Sequence, residues 1–203
     1  MLMMQNWAIL LLLMIIWIYA LSIFRRKQQF FFSFLVGAVG LFIFLFVILE
    51  PVLTVPLARI VCYLTGWVGR LTGMFESYVS YGILFIENIN GPVSLYIDFE
   101  CAGLVEILVF LSLLIFFQAY KWYEKLWVGI VGVLIVIGAN VLRLTVICIM
   151  VHLYGNEIYY LAHTIVGRLV FYVIAILLYF YVFTRRQVRQ QRVGDFQYND
   201  KTN

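Results

Sequence analysis

The sequence predicts an all-α integral membrane protein, a polytopic helical bundle with an external surface helix and a small β-hairpin. Three observations predict it. Hydrophobic residues make up 65% of the 203 and charged residues 12%, far from the balance of a water-soluble domain. Five apolar stretches approach the roughly 20 residues that a helix needs to cross a hydrocarbon core of about 30 Å. They are Trp7 to Phe24, Phe30 to Leu49, Leu104 to Ala119, Leu126 to about Ile149, and Tyr160 to Phe183. Basic residues then cluster after alternate stretches: Arg25, Arg26 and Lys27 after the first, Lys121 and Lys125 after the third, and Arg185, Arg186, Arg189 and Arg192 after the fifth.

Alternation puts these clusters on one side, which the bias of Lys and Arg toward short inner loops makes cytoplasmic. Glu50, Glu76, Glu87, Asp98, Glu100 and Glu157 fall on the other side, with Arg59 and Arg70. The expected topology has the N-terminus outside and the C-terminus cytoplasmic. The first stretch reads as a retained anchor, because its charges follow the apolar run and no A-x-A site closes it. The net charge of +4 reads as topology and attraction to anionic lipid, not as a nucleic-acid footprint.

Four regions follow: two N-terminal membrane helices over 1–50, an external part over 51–100, a three-helix membrane core over 101–184, and a basic cytoplasmic tail over 185–203 that reads as disordered. In the external part, Leu57, Val61, Leu64, Val68, Leu71 and Phe75 recur at helical steps, while Arg59, Gly66, Arg70 and Ser77 share the opposite stripe. That pattern predicts a helix on the membrane surface, apolar face down. The competing reading sends residues 52–85 through the bilayer as a hairpin and raises the span count from five to seven. It buries Arg59 and Arg70 at about 2.5–3.5 kcal/mol each. Next, Val93, Leu95, Ile97 and Phe99 alternate with polar partners, the pattern of a half-buried strand. The turn signal Asn88–Pro92 pairs it with Gly82 to Glu87 in a hairpin.

Three residues with complementary chemistry then fall at one outer boundary. Cys101 opens the third stretch, where a helix N-terminus favours thiolate and Asp98 and Glu100 oppose it. Arg143 lies about 26 Å along the fourth stretch from Leu126, with Asn140 on the same face to hold the guanidinium or a substrate carbonyl. His163 begins the fifth stretch at the level of Cys101. His152 is nine residues beyond Arg143, half a turn around the helix, and points away. Cys62 and Cys148 read as small buried hydrophobes, with a Cys62–Cys101 disulfide as the open alternative. Glu106 and Arg168 lie at equal depths inside hydrocarbon and read as an ion pair between the third and fifth stretches, scaffold or support for the site.

Cys101-Ala102-Gly103, then Asn140-Val141-Leu142-Arg143, then His163 with Gly167 after it resemble the signature of the exosortase/archaeosortase family of membrane cysteine transpeptidases. The likeness covers roughly Val93 to Phe183, and the short length is most similar to the bacterial XrtG subgroup. The resemblance implies Cys101 as nucleophile, Arg143 as stabiliser of thiolate or oxyanion, and His163 as general acid-base, with no metal or organic cofactor. It also implies, as partner, a membrane-anchored protein with a C-terminal hydrophobic helix, and a polysaccharide, lipid or water as acceptor. Two other classes compete: a non-catalytic scaffold or transporter subunit, and a thiol-dependent acyltransferase acting on a lipid or sugar.

Overall fold

The structure, a computed structural model, describes residues 2–88 and 91–190. Helix α1 (Leu2–Arg26) turns through Lys27 to Gln29 into α2 (Phe30–Thr72), which runs unbroken for 43 residues. At 1.5 Å per residue α2 is about 65 Å long, twice the thickness of a hydrocarbon core. The helix expected beyond Leu57 is therefore present as a continuation of the second span. A continuous helix also leaves no chain reversal for a hairpin crossing over 52–72. Pro51 and Pro56 lie inside it, removing the N–H partners of the carbonyls of residues 47 and 52, and the Thr54 hydroxyl donates to the Glu50 carbonyl at 2.7 Å on the turn between them.

The face of α2 that packs inward is not the large apolar stripe. Leu64 is 38% and Leu71 74% exposed, whereas Ala58, Val61, Cys62, Thr65, Gly66 and Gly69 are buried. Small residues are selected because a strand lies directly on them. A Cβ at Gly66 would strike the Ser77 side chain, and one at Gly69 the Phe75 carbonyl. That strand, β1 (Phe75–Tyr78), pairs antiparallel with β2 (Ile83–Ile86), which pairs antiparallel with β3 (Val93–Tyr96). The expected hairpin is the β2–β3 pair, with Ile83 opposite Tyr96 and Ile86 opposite Val93. β1 adds a third strand. Ile89 and Asn90 of the expected turn lie outside the described residues.

One turn of helix, α3 (Phe99–Ala102), precedes α4 (Leu104–Phe116) and then α5 (Trp122–Tyr154). The last helical segment, Asn156–Val188, contains α6 (Tyr159–Leu161), α7 (Gly167–Tyr179) and the start of α8 (Arg185–Gln190), with π-helical turns at Ala162–Val166 and Phe180–Thr184. Among the described residues, α2, α5 and this segment are long and apolar enough to cross a membrane, while α4 is a shorter apolar helix. The tail expected to be disordered is helical through Gln190, and Arg186 bridges Glu124 at 3.0 Å. Residues 191–203, with Arg192, lie outside the described residues.

Two cores stack along the bundle. The outer one joins Val61 and Cys62 of α2, Leu84, Ile86 and Leu95 of the sheet, and Leu144, Ile147 and Cys148 of α5. The inner one joins Ile107, Phe110 and Leu114 of α4 with Val136 and Ala139 of α5 and Phe171 and Leu178. Cys101 and Ala102 belong to the outer core, directly above the start of α4.

Candidate active site

The local sequence shapes the loop that carries Cys101. Asp98, with extended backbone, caps α3: its carboxylate Oδ1 accepts the Cys101 N–H at 2.8 Å and its carbonyl accepts the Ala102 N–H at 2.8 Å. Asp-x-x before a helical turn is an N-cap arrangement. Gly103 ends the turn in the left-handed conformation, φ +79°, and its N–H donates to the Phe99 carbonyl. Gly103 is required twice over, because any Cβ there would also collide with the Asn140 amide.

Cys101 is thus not in the first turn of a long helix as expected. It sits in a single turn cut off from α4 by Gly103, so little helix dipole acts on it. Burial, with the residue only 3% exposed, dominates instead. Burial and then the Asp98 charge push the thiol up to about 12, against the opposing pull of Arg143. Both effects favour the neutral thiol.

His163 meets it across the bundle, with Nε2 3.3 Å from Sγ. The histidine lies in the π-helical turn Ala162–Val166, a distortion frequent at functional positions. Its ring stacks on Tyr159, with centroids 5.8 Å apart and planes at 15°. Gly167 is buried one turn on and lets the helix close on Ile147 of α5.

Arg143 and Asn140 project from one face of α5. Arg143 is 6% exposed and Asn140 fully buried. Arg143 Nε and both Asn140 amide atoms have no hydrogen-bond partner. Burying such groups unpaired is expensive, so the pair is a ready receptor for an acceptor oxygen. His152 lies elsewhere: its Nδ1 is 2.7 Å from the Glu87 carbonyl and ties α5 to the sheet. All three cysteines are free, so the open Cys62–Cys101 disulfide is absent, and Cys62 and Cys148 are fully buried.

Glu106 and Arg168 do not pair as expected. Among the described residues the salt bridge found is Arg186–Glu124. Arg168 is exposed, and the buried Oε2 of Glu106 has no partner. Equal depth was not enough, because the pairing also needs both side chains to face one another around their helices.

Sequence reasoning missed two residues of the site. Asp98 was counted only as a charge opposing the thiolate, though Asp three residues before Cys101 is the spacing of a cap. Tyr159 carries no motif of its own, though it stands four residues before His163, the spacing of a shared helix face.

Comparison with known families gives one finding: the model described as transmembrane exosortase (Exosortase_EpsH) matches residues 2–180. No curated protein matches the chain, and no solved structure matches it. With the match spanning most of its length, the chain belongs to the transmembrane exosortase family.

Proposed function

We propose that the protein is a cysteine protease-transpeptidase that cleaves C-terminally anchored surface proteins at the outer face of a bacterial cytoplasmic membrane and transfers them to an acceptor. The observation that carries this reading is the 3.3 Å contact between Cys101 Sγ and His163 Nε2, within the reach required of a nucleophile and its base. Because the thiol rests protonated, the chemistry is general-base catalysis rather than attack by a standing thiolate.

Cys101 Sγ attacks the scissile carbonyl carbon while its proton passes to His163 Nε2. The carbonyl becomes an oxyanion, held by the Arg143 guanidinium and the Asn140 amide, whose donors are otherwise unspent. Collapse breaks the C–N bond, and the departing amine takes the proton from Nε2, leaving a thioester on Cys101. An acceptor hydroxyl, amine or water then attacks the thioester, gives its proton to Nε2, and expels the sulfur, which recovers that proton. Atoms and charges balance over the cycle with these residues alone.

Acid-quenched protein from its own cells tests the reading. Mass analysis of the Cys101 peptide should find a thioester-linked peptide fragment in the wild type and none in His163→Ala. A lipid acyl mass on Cys101 would assign the acyltransferase class instead. Normal processing of surface proteins by Cys101→Ala at equal abundance would falsify the nucleophile assignment.

A further inference from the structure

The opposite end of the bundle holds a second built site. Where α1 turns into α2, a cavity of ≈ 500 Å³ is lined by Arg25, Gln28, Gln29, Ser33, Gln118 and Lys125, with phenylalanine walls. Its chemistry is that of an anion site. Among the described residues neither Arg25 nor Lys125 forms a salt bridge, and no carboxylate lines the cavity. Lys125 Nζ donates to the Ile115 carbonyl at 2.5 Å, which leaves two further N–H donors.

The N-terminus of α2 opens into the same cavity through Gln29, Phe30 and Ser33. Their backbone N–H groups are already bonded, Gln29 to the Phe24 carbonyl, Phe30 to that of Gln28 and Ser33 to that of Gln29, so the cavity meets an anion with side-chain donors and not with the helix end. Ser33 is only 7% exposed and faces the cavity, and its hydroxyl has no partner among the described residues. Gln28, with a positive φ of 55°, forms part of the wall.

A second cavity continues from the first. An apolar groove of ≈ 580 Å³ runs between α4 and α5 along Leu111, Leu114, Leu126 and Val133, and shares Ile115 and Lys125 with the polar cavity. A polar pocket joined through a lysine to a hydrocarbon track fits an amphiphile better than a free ion. Two unpaired cations and no carboxylate select a net negative head over a zwitterionic one, whose ammonium would meet Arg25.

We propose that this end of the bundle binds one anionic phospholipid. Its phosphate is held by Arg25, Lys125 and the Ser33 hydroxyl, and one acyl chain lies along the α4–α5 groove. The site is separate from Cys101 and does not rest on the proposed reaction.

Native mass spectrometry of the full chain in detergent tests it, with phosphatidylglycerol and phosphatidylcholine of identical chains titrated in parallel. Phosphatidylglycerol should be retained at least ten-fold more tightly. Arg25→Gln with Lys125→Gln should weaken it about 30-fold, on the scale of one juxtamembrane charge each. Arg25→Gln alone, at an exposed position, should weaken it about five-fold even if the double variant does not fold. Arg25→Lys with Lys125→Arg should retain it, and Ile130→Trp, which fills the groove from an exposed position, should lower it. Equal retention of the two lipids, or unchanged binding in Arg25→Gln, overturns the proposal. Inorganic phosphate that displaces the lipid at equal concentration assigns the cavity to a free anion and overturns it too.

Discussion

Asp98→Asn is the substitution that reports most directly on how the thiol is held. The Cys101 thiol is pushed up to about 12 from an ordinary 9.0, first by burial and then by the Asp98 charge, with Arg143 opposing. At pH 7 a thiol at 12 is ionised to about one part in 10⁵, against about one in 10² for an ordinary one. Alkylation should therefore be roughly 1,000-fold slower than for an exposed cysteine. Asparagine still offers an oxygen to the Cys101 N–H and caps about as well as aspartate, so the loop is kept while the charge is deleted. A neighbouring charge moves a pKa by about one unit or more. The variant should thus alkylate about ten-fold faster at pH 7, and Arg143→Gln should alkylate more slowly. The sign follows from the direction of the shift: removing a negative charge favours thiolate, and removing a positive one disfavours it. The assay is mass-resolved iodoacetamide labelling in a Cys62→Ala, Cys148→Ala background across pH. The wild-type rate should rise ten-fold per pH unit with no plateau below about pH 10. A plateau near neutrality would mean a standing thiolate–imidazolium pair, and slower labelling in Asp98→Asn would refute the electrostatic account.

Gly103→Ala should cost about 1–2 kcal/mol from its left-handed backbone alone and displace Asn140, so detergent melting should fall while Asn140→Ala in the same background restores part of the loss. Because Glu106 and Arg168 form no bridge, melting shifts of Glu106→Gln and Arg168→Gln should add within about 0.5 kcal/mol in the double variant; a coupling above about 1 kcal/mol would show that they pair. For topology, cysteines placed at Gly91 and Gln187 in a background with Cys62, Cys101 and Cys148 replaced should label from opposite sides of intact cells. Labelling of both from outside would reject the orientation.

Helix positions were legible because the bilayer imposes them: no other backbone satisfies its own polar groups across so many apolar residues. The continuity of α2 was not, since proline inside a helix ordinarily breaks or kinks it, whereas α2 runs through both Pro51 and Pro56. Phe75 and Ser77 were read as the end of a helical stripe, which hid β1. The face of α2 that packs on the protein was not legible, because a helical wheel weights large side chains, whereas close contact with β1 selects Gly66 and Gly69. In the candidate site, Cys101, Arg143 and His163 stood out as polar residues at one depth. The protonated state of the thiol did not, because it depends on how far Cys101 is buried and on Gly103 isolating α3 from α4.

The π-helical turn around His163 rotates the two halves of the last helical segment against one another. The Gly167 N–H reaches back five residues to Ala162, one more than an α-helix allows, so the side-chain phase slips by about 100° across the turn. No single angular frame describes both Tyr159 and Phe171. Deleting one residue between them would let the segment close as ordinary α-helix. His163 would then swing about 100° off the sulfur, while Phe171 and Leu178, anchored in the inner core, stayed in place.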